Sequence, residues 1–597
     1  MNIRKKLAYF ALSCALTAVI HSRTPGDEIT ERQFKTILDD AWQFDLRESP
    51  VFATRAGDHR YNDQLSSVSV ADYQRRLSQK HKTLERLEST DRKKLPVDDQ
   101  VNYDIFKQLL DNEIAESEFE MYLIPITNRW GFHVSFPDLG KRVPLSTIKD
   151  YENYIARLAA FNRYAEQHIE LMRQGIKKGF VLPAVVLEGY KDSIDTHIVD
   201  DPSKSLLFKP FQKFPDRIAS NDQERLTKSG RDAIQESVIP GYRKFLEFME
   251  KEYVSSARGS IAASALPRGR EFYRHRVRQF TTLDVTPDDV HQTGLSEVKR
   301  IRAEMDQVIK DTGFKGDFNA FVEHLRTDDK FYAKTPEQLM KEVALTLKEM
   351  DGRLPRLFRT LPRTPYGIRK VPTYIAPKTT SAYYTQPDGD GSRAGFYYVN
   401  TYNLKSRPLY EVEALSFHEA VPGHHLQLAL QQELKDMPEF RRFSNFTVFI
   451  EGWALYSERL GLEVGFYEDP YSNFGRLSFE MWRACRLVVD TGIHYFGWTR
   501  QQAIDFMARN TSLSIHNIQA EVDRYISWPG QALAYKTGEL KIRELRKFAE
   551  SELGDNFDVR EFHHVVLSSG AVPLNVLENN VKQYVDRAAS GLEQSQD

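Results

Sequence analysis

Thr147-Ile-Lys-Asp-Tyr151-Glu-Asn-Tyr-Ile-Ala-Arg-Leu158-Ala-Ala-Phe161-Asn-Arg-Tyr-Ala165-Glu-Gln-His-Ile169-Glu-Leu-Met172-Arg-Gln-Gly-Ile176-Lys-Lys-Gly179 decides the fold class. Tyr151, Tyr154, Ile155, Leu158, Phe161, Ala165, Ile169, Met172 and Ile176 recur at spacings of three and four, which puts them on one face of an amphipathic helix. Thr147 with Asp150 has the form of a capping box, and Gly179 after two lysines supplies a stop. The same period runs through 70–88, 101–119, 237–253, 286–311 and 335–351. The spacing therefore predicts a mainly α protein. Neither a short-period repeat nor a low-complexity segment interrupts it.

The texture changes near Leu354. Prolines 355, 362, 365, 372 and 377 follow in quick succession and forbid a long helix. Three strand-like pieces come next, at 367–374, 381–386 and 395–402, the last two joined by the turn-forming Pro387-Asp-Gly-Asp-Gly391. A small antiparallel sheet is expected here. Within it, Gly395-Phe-Tyr-Tyr398-Val-Asn400 is a candidate edge strand able to bind an extended substrate by strand addition, with Tyr398 and Asn400 as contacts. A purely structural hairpin reads equally well. From Tyr410 the chain is helical again. The expected organisation is a helical region over 23–365 and a second region over 366–597 that carries the sheet and the chemistry.

That chemistry is concentrated in His418-Glu-Ala-Val-Pro-Gly-His-His425, three imidazoles and one carboxylate between apolar flanks. Neutral imidazoles with a carboxylate are a donor set that suits Zn²⁺, and a Glu beside the first His is a ready general base. The usual zinc helix carries His-Glu-x-x-His, because positions i and i+4 share a face. Here i+4 is Pro422, which cannot ligate. On an unbroken helix His424 would point roughly 240° around from His418, and His425 would lie about 10 Å along the axis. A break at Pro422-Gly423 removes both obstacles, since Pro cannot donate to the carbonyl of His418 and Gly tolerates unusual backbone angles. Either His424 or His425 then joins His418, and the other becomes a substrate contact. Glu419 is the expected base. Glu451, the lone acid in Phe446-Thr-Val-Phe-Ile-Glu-Gly-Trp-Ala-Leu, is the expected third ligand, since a Glu in so apolar a run needs a partner. Glu458 looks more solvated, beside Arg459, and could orient a histidine.

A tetrahedral intermediate needs hydrogen-bond donors. Tyr525 and Tyr535, in the segment Arg524–Lys536, and His494 are the candidates, with Arg524 for a substrate carboxylate. Ordinary packing is the competing reading for each of them.

Composition narrows the rest. The chain has 597 residues, 41% of them apolar, with a formal charge of −2 and acids and bases interspersed. Neither nucleic acid nor a membrane surface is indicated as partner. The N-terminus differs: Arg4, Lys5 and Lys6 precede an apolar run from Leu7 to Ile20, the form of a signal peptide over 1–22. An exported, periplasmic protein is expected, with a lipoprotein or an uncleaved anchor as the alternative. Cys14, preceded by Ala-Leu-Ser, departs from a lipid-attachment site. Of the two cysteines only Cys485 would remain after cleavage, so no internal disulfide is expected, and Cys485 reads as a core residue.

The string His418-Glu-Ala-Val-Pro-Gly-His-His425-Leu-Gln, followed by Glu451-Gly-Trp-Ala-Leu-Tyr-Ser-Glu458, resembles the bacterial family known as Domain of Unknown Function 885. Trp528-Pro-Gly-Gln-Ala-Leu-Ala-Tyr535-Lys, Gly570-Ala-Val-Pro-Leu574 and Thr54-Arg-Ala-Gly57-Asp58-His-Arg-Tyr61-Asn fit it too, so the resemblance covers essentially the whole mature chain. That family is distantly similar to the helical zinc peptidases related to angiotensin-converting enzyme and thimet oligopeptidase. Those enzymes use a His-Glu-x-Gly-His motif and a Glu from a following helix, and matching their Gly-His pair to Gly423-His424 favours His424 as ligand. The resemblance implies a two-lobed helical body whose deep cleft admits short peptides. The resulting expectation is hydrolysis of oligopeptides with one zinc ion on His418, His424 and Glu451. The alternatives are a zinc amidase acting on a non-peptide or D-residue amide, and a peptide-binding protein with a degenerate metal site.

Overall fold

Side-chain caps set where the long helices begin. In this computed structural model, which describes residues 25–373, 375–376, 379–387, 393–434 and 437–591, the N-terminal half holds α1 (Pro25–Glu48), α2 (Val70–Glu88), α3 (Val97–Glu118), α4 (Ile148–Lys178), α5 (Gly269–Thr281), α6 (Pro287–Asp311) and α7 (Pro336–Arg353), among others. Ser69, Thr147 and Thr286 start α2, α4 and α6 with reciprocal capping boxes, each closed by the Asp three residues on. Such caps contribute about 1 kcal/mol apiece. Gly179 ends α4 in the left-handed conformation, φ 82°. The stretch 237–253 is helical as the spacing predicts, with wider turns at both ends of Ile239–Phe248. The signal-like segment 1–22, Cys14, Tyr374 and residues 388–391 of the hairpin connection lie outside the described residues.

The apolar face read from α4 is buried from Tyr151 to Met172, with Ile155 and Ile176 packed against it. That face also carries Arg157, which is fully buried. Its guanidinium donates to the carbonyls of Gln64, Pro50 and Tyr61 and to Thr54 Oγ1, at 2.8–3.1 Å. A buried cation thus pins the 50–64 segment to α4 through backbone oxygens.

The sheet has the three expected pieces but not the expected pairing. Strands β1 (Tyr366–Lys370), β2 (Ala382–Thr385) and β3 (Gly395–Val399) lie in the order β1-β3-β2. β2 and β3 are antiparallel, Ala382 opposite Val399, as their short connection requires. β1 and β3 are parallel, Tyr366 opposite Gly395. The sheet is therefore mixed rather than antiparallel. The proline-bearing connection 371–381 is too long for a tight turn, so the β2–β3 hairpin folds back and inserts β3 beside β1. It follows that β3 is the central strand and its backbone is already paired on both sides. The edge-strand role expected for Gly395–Asn400 does not hold, because the free edges belong to β1 and β2.

The C-terminal half continues with α8 (Val412–Glu419), α9 (His424–Glu433), α10 (Thr447–Leu460), α11 (Pro470–His494), α12 (Ile515–Ser527), α13 (Ala534–Leu553) and α14 (Leu574–Ala589). Every residue of α11 from Phe474 to His494 is buried. Helix α6, from before the expected boundary at 365, packs along it. Cys485 lies in this helix, fully buried, as expected of a core thiol, and burial pushes it up to about 12.

Helix α10 crosses α13 at two glycines. A Cβ on Gly452 would stand 2.5 Å from Gly538 Cα and 2.9 Å from Glu539 N, all of it backbone. Only glycine permits this approach of the two helices that carry Glu451 and Tyr535. Lys536 locks α13 from the other side through Glu480, Glu539 and Glu297 at 2.8–3.0 Å. Gly452→Ala is expected to destabilise the fold by about 1–3 kcal/mol in urea unfolding, since neither helix can give without moving the other. A change below about 0.5 kcal/mol, the range of ordinary surface substitutions, would show that the crossing is not close-packed.

Candidate metal centre

The helix expected to kink at Pro422-Gly423 stops altogether. α8 ends at Glu419, residues 420–423 form a turn with a cis Val421–Pro422 peptide, and α9 starts at His424. Gly423 is required by space rather than by φ: a Cβ there would lie 2.0 Å from the carbonyl oxygen of His418. The turn is stitched to α10, where Trp453 Nε1 and Ser457 Oγ donate to the Pro422 carbonyl at 2.9 and 3.3 Å.

The break brings His418 and His424 side by side, ring centres 4.8 Å apart and planes 81° to one another. Glu451 Oε2 lies 3.4 Å from His418 Nε2 and 3.5 Å from His424 Nε2. One donor atom from each of the three residues falls within 4.8 Å of the others. Three ligands about 2.0–2.1 Å from a tetrahedral ion are separated by about 3.4 Å, so both measured edges suit Zn²⁺. Glu451 Oε2 is buried and makes no hydrogen bond among the described residues, an arrangement that is costly unless something else binds that oxygen.

Glu458 belongs to the same centre. It lies two turns from Glu451 on one face of α10 and is 1% exposed, not solvated as the sequence suggested. It accepts from His418 Nδ1 at 2.8 Å and from Arg483 of α11 at 3.2 Å. Nδ1–H is thereby fixed, which leaves Nε2 as the free lone pair facing Glu451. Burial alone would lower the pKa of His418, but the Glu451 and Glu458 carboxylates beside its two ring nitrogens lift it to about 9. Burial likewise opposes charge on Glu451, yet the two histidines hold its carboxyl well below the usual range. For Glu419 burial prevails and raises the carboxyl, against the pull of His418 and His424.

The other expected site residues divide. Tyr535 stands close enough to Glu451 for that charge to raise its hydroxyl, after the larger effect of burial. Its oxygen receives only a long bond from Gln531, 3.4 Å. Tyr525 is different: its hydroxyl accepts from Trp482 and Arg486 and donates to Glu521, at 3.0–3.1 Å, so it has no donor left for a substrate. His494 is fully buried, with Nδ1 accepting from Ala263 N and Nε2 donating to the Tyr525 carbonyl. It holds α11 to α12 rather than lining the site. His425 donates from Nε2 to the Thr364 carbonyl and accepts at Nδ1 from Tyr384, so neither nitrogen is free for metal. Asn400, fully buried, donates to the carbonyls of Ala376, Thr379 and Thr380 and braces a loop. Tyr398 stacks on Tyr383, ring centres 4.7 Å apart, as a cross-strand pair. Arg524 lies in a buried group with Glu521 and Gln531.

Sequence reading missed Arg483 and Arg486. Their signal is a charged stripe, Arg476, Glu480, Arg483, Arg486 and Asp490, at helical spacing in a segment otherwise apolar enough to be central.

Fold and site together define a mainly helical protein with a partly buried two-histidine, one-glutamate cluster at a break between helices. The chain belongs to the family described as "Bacterial protein of unknown function (DUF885)", whose model matches residues 50–581. It is similar to a solved "putative lipoprotein" from Colwellia psychrerythraea, at 29% identity and a TM-score of 0.86, over 94% of this chain and 99% of that one. A "putative lipoprotein of unknown function" from Shewanella oneidensis shares the fold at 19% identity and a TM-score of 0.66, over 92% and 99% of the two chains. No curated protein matches. Among the described residues no helix is long and apolar enough to cross a membrane.

Proposed function

We propose that this protein is a metallopeptidase that hydrolyses peptide bonds in oligopeptides, with one Zn²⁺ on His418, His424 and Glu451. The observation that carries the reading is the three-residue cluster at zinc-like spacing, with a buried carboxylate beside it that takes no part in ligation. Zn²⁺ bound there supplies a Lewis acid that polarises a carbonyl oxygen and makes water acidic near neutral pH. Glu419 takes a proton from the attacking water as the water oxygen adds to the carbonyl carbon. It returns that proton to the amide nitrogen as the C–N bond breaks, leaving an acid and an amine. The raised carboxyl of Glu419 suits both transfers. Tyr535 donates its hydroxyl to the oxyanion that develops on the carbonyl. A two-lobed body with a cleft that admits short peptides is part of the same reading. So is export, supported by the basic and apolar N-terminus and by the lipoprotein description of both solved relatives.

The test is elemental analysis of purified protein after zinc loading and dialysis, beside His418→Ala. Wild type is expected to retain close to one equivalent and the variant little. A wild type that retains none overturns the reading.

A further inference from the structure

Tyr535 has a neighbour group with too much positive charge. Arg129, Arg486 and Arg524 all pair with Glu521, at 3.5, 3.2 and 3.0 Å. Among the described residues none of the three has another acidic partner. Three guanidinium groups on one carboxylate leave two positive charges uncompensated, and Arg486 and Glu521 have side chains only 4% and 2% exposed. Burying that excess is expensive unless an anion completes the group.

Arg486 shows where the anion would go. Its Nε donates to Tyr525 at 3.0 Å and one Nη pairs with Glu521, but its buried Nη1 has no hydrogen-bond partner among the described residues. The guanidinium carbon lies over the rings of Trp482 and Tyr535, 4.4 and 4.0 Å from their centres. An arginine fixed in this way is a pre-formed carboxylate receptor. Arg524 is anchored by Gln531 as well as Glu521. Arg129, a quarter exposed, reaches in from the loop before Trp130 and also donates to the Ala520 carbonyl at 3.1 Å. Of the three guanidinium groups Arg129 is the most exposed.

We infer that Arg486, with the charge of Arg524 and Arg129 behind it, binds the free C-terminal carboxylate of a peptide, so that the enzyme cleaves near that C-terminus. The inference rests on the peptidase reading for the cleavage and on the cluster alone for the binding. Nearness to the metal centre follows from α11: Arg483 touches Glu458 and so borders that centre, and Arg486 lies three residues on, about 4.5 Å along the axis.

The experiment is calorimetric binding to the full chain stripped of metal, so that no turnover intervenes. The probes are acetyl-Ala-Ala-Ala, its C-terminal amide, and the amide of acetyl-Ala-Glu-Ala. The free acid is expected to bind at least tenfold more tightly than either amide. Arg486→Met is expected to abolish that preference and Arg486→Lys to keep part of it. Circular dichroism reports whether each variant folds, and the wild-type comparison stands without them. Equal binding of acid and amide, no binding of the acid, or a glutamyl amide that binds like the acid each overturn the assignment. Acid-selective binding by a protein that takes up no zinc would leave this site standing and remove the peptidase reading. Zinc-dependent cleavage at one rate for acid and amide would do the reverse.

Discussion

Glu419→Gln is expected to keep the full zinc content and to lower kcat on a peptide substrate by about 10²–10⁴-fold, the usual contribution of a positioned general base. The variant isolates one role. Glu419 is adjacent to His418 but is not among the three residues whose donor atoms cluster, so an amide there leaves the ligand set intact. Gln fills the same volume and hydrogen-bonds similarly, but it can neither take a proton from water nor hand one to a leaving amine. Stability is not expected to fall, because Glu419 is 9% exposed and the amide needs no ionised form in that setting. Zinc content, the melting curve and kcat on one preparation make the assignment decisive. Full zinc with full turnover would move the base elsewhere, while loss of zinc would mean that the carboxylate shapes the site rather than acting in the reaction.

The sequence carried the helices and the His418, His424 and Glu451 cluster better than it carried their surroundings. A face such as Tyr151–Met172 is written in one segment, because helix period is local. The clustering of His418, His424 and Glu451 was legible for a similar reason: Pro422-Gly423 announces a break, and a lone Glu451 in an apolar run announces a partner. What was not legible depends on which groups are already satisfied. Tyr525, His494 and Asn400 look like donors in a list of residues, yet each has spent its hydrogen bonds on the scaffold. Apart from Glu521, their partners lie twenty or more positions away, so no window of sequence contains the information. The sheet failed in a related way. Three strands and a hairpin were visible, but which neighbour β1 takes is decided by how the 371–381 connection crosses, and only the tertiary arrangement specifies that. The same separation explains the choice between His424 and His425. The two are adjacent in sequence, and the Tyr384 hydroxyl and the Thr364 carbonyl claim one of them.

Glu458→Ala is expected to cost about 3–5 kcal/mol of stability and to weaken zinc binding by about 10–100-fold, although Glu458 is not placed as a ligand. Two buried partners depend on it. Arg483, with a side chain 4% exposed, would lose its carboxylate and leave an uncompensated charge in the middle of α11. His418 would lose the acceptor that fixes Nδ1–H, so its ring could turn or change tautomer, and Nε2 would no longer face Glu451 by default. The two losses can be separated. Glu458→Gln retains an oxygen for Nδ1–H but removes the charge opposite Arg483. It should therefore lose stability as the alanine variant does, while holding zinc more nearly as wild type does. Urea unfolding of the metal-free proteins reads the first effect, and competition for zinc against a chelator reads the second. If alanine left the zinc affinity within about twofold of wild type, against the 10–100-fold expected, Glu458 would be a partner of Arg483 alone. The orientation of His418 would then have to come from packing in α8. If both effects occur, α10 supplies the site with a ligand at 451 and a brace at 458 on one rigid face. The close crossing of α10 with α13 at Gly452 and Gly538 would then set the distance between metal and Tyr535 as a single unit.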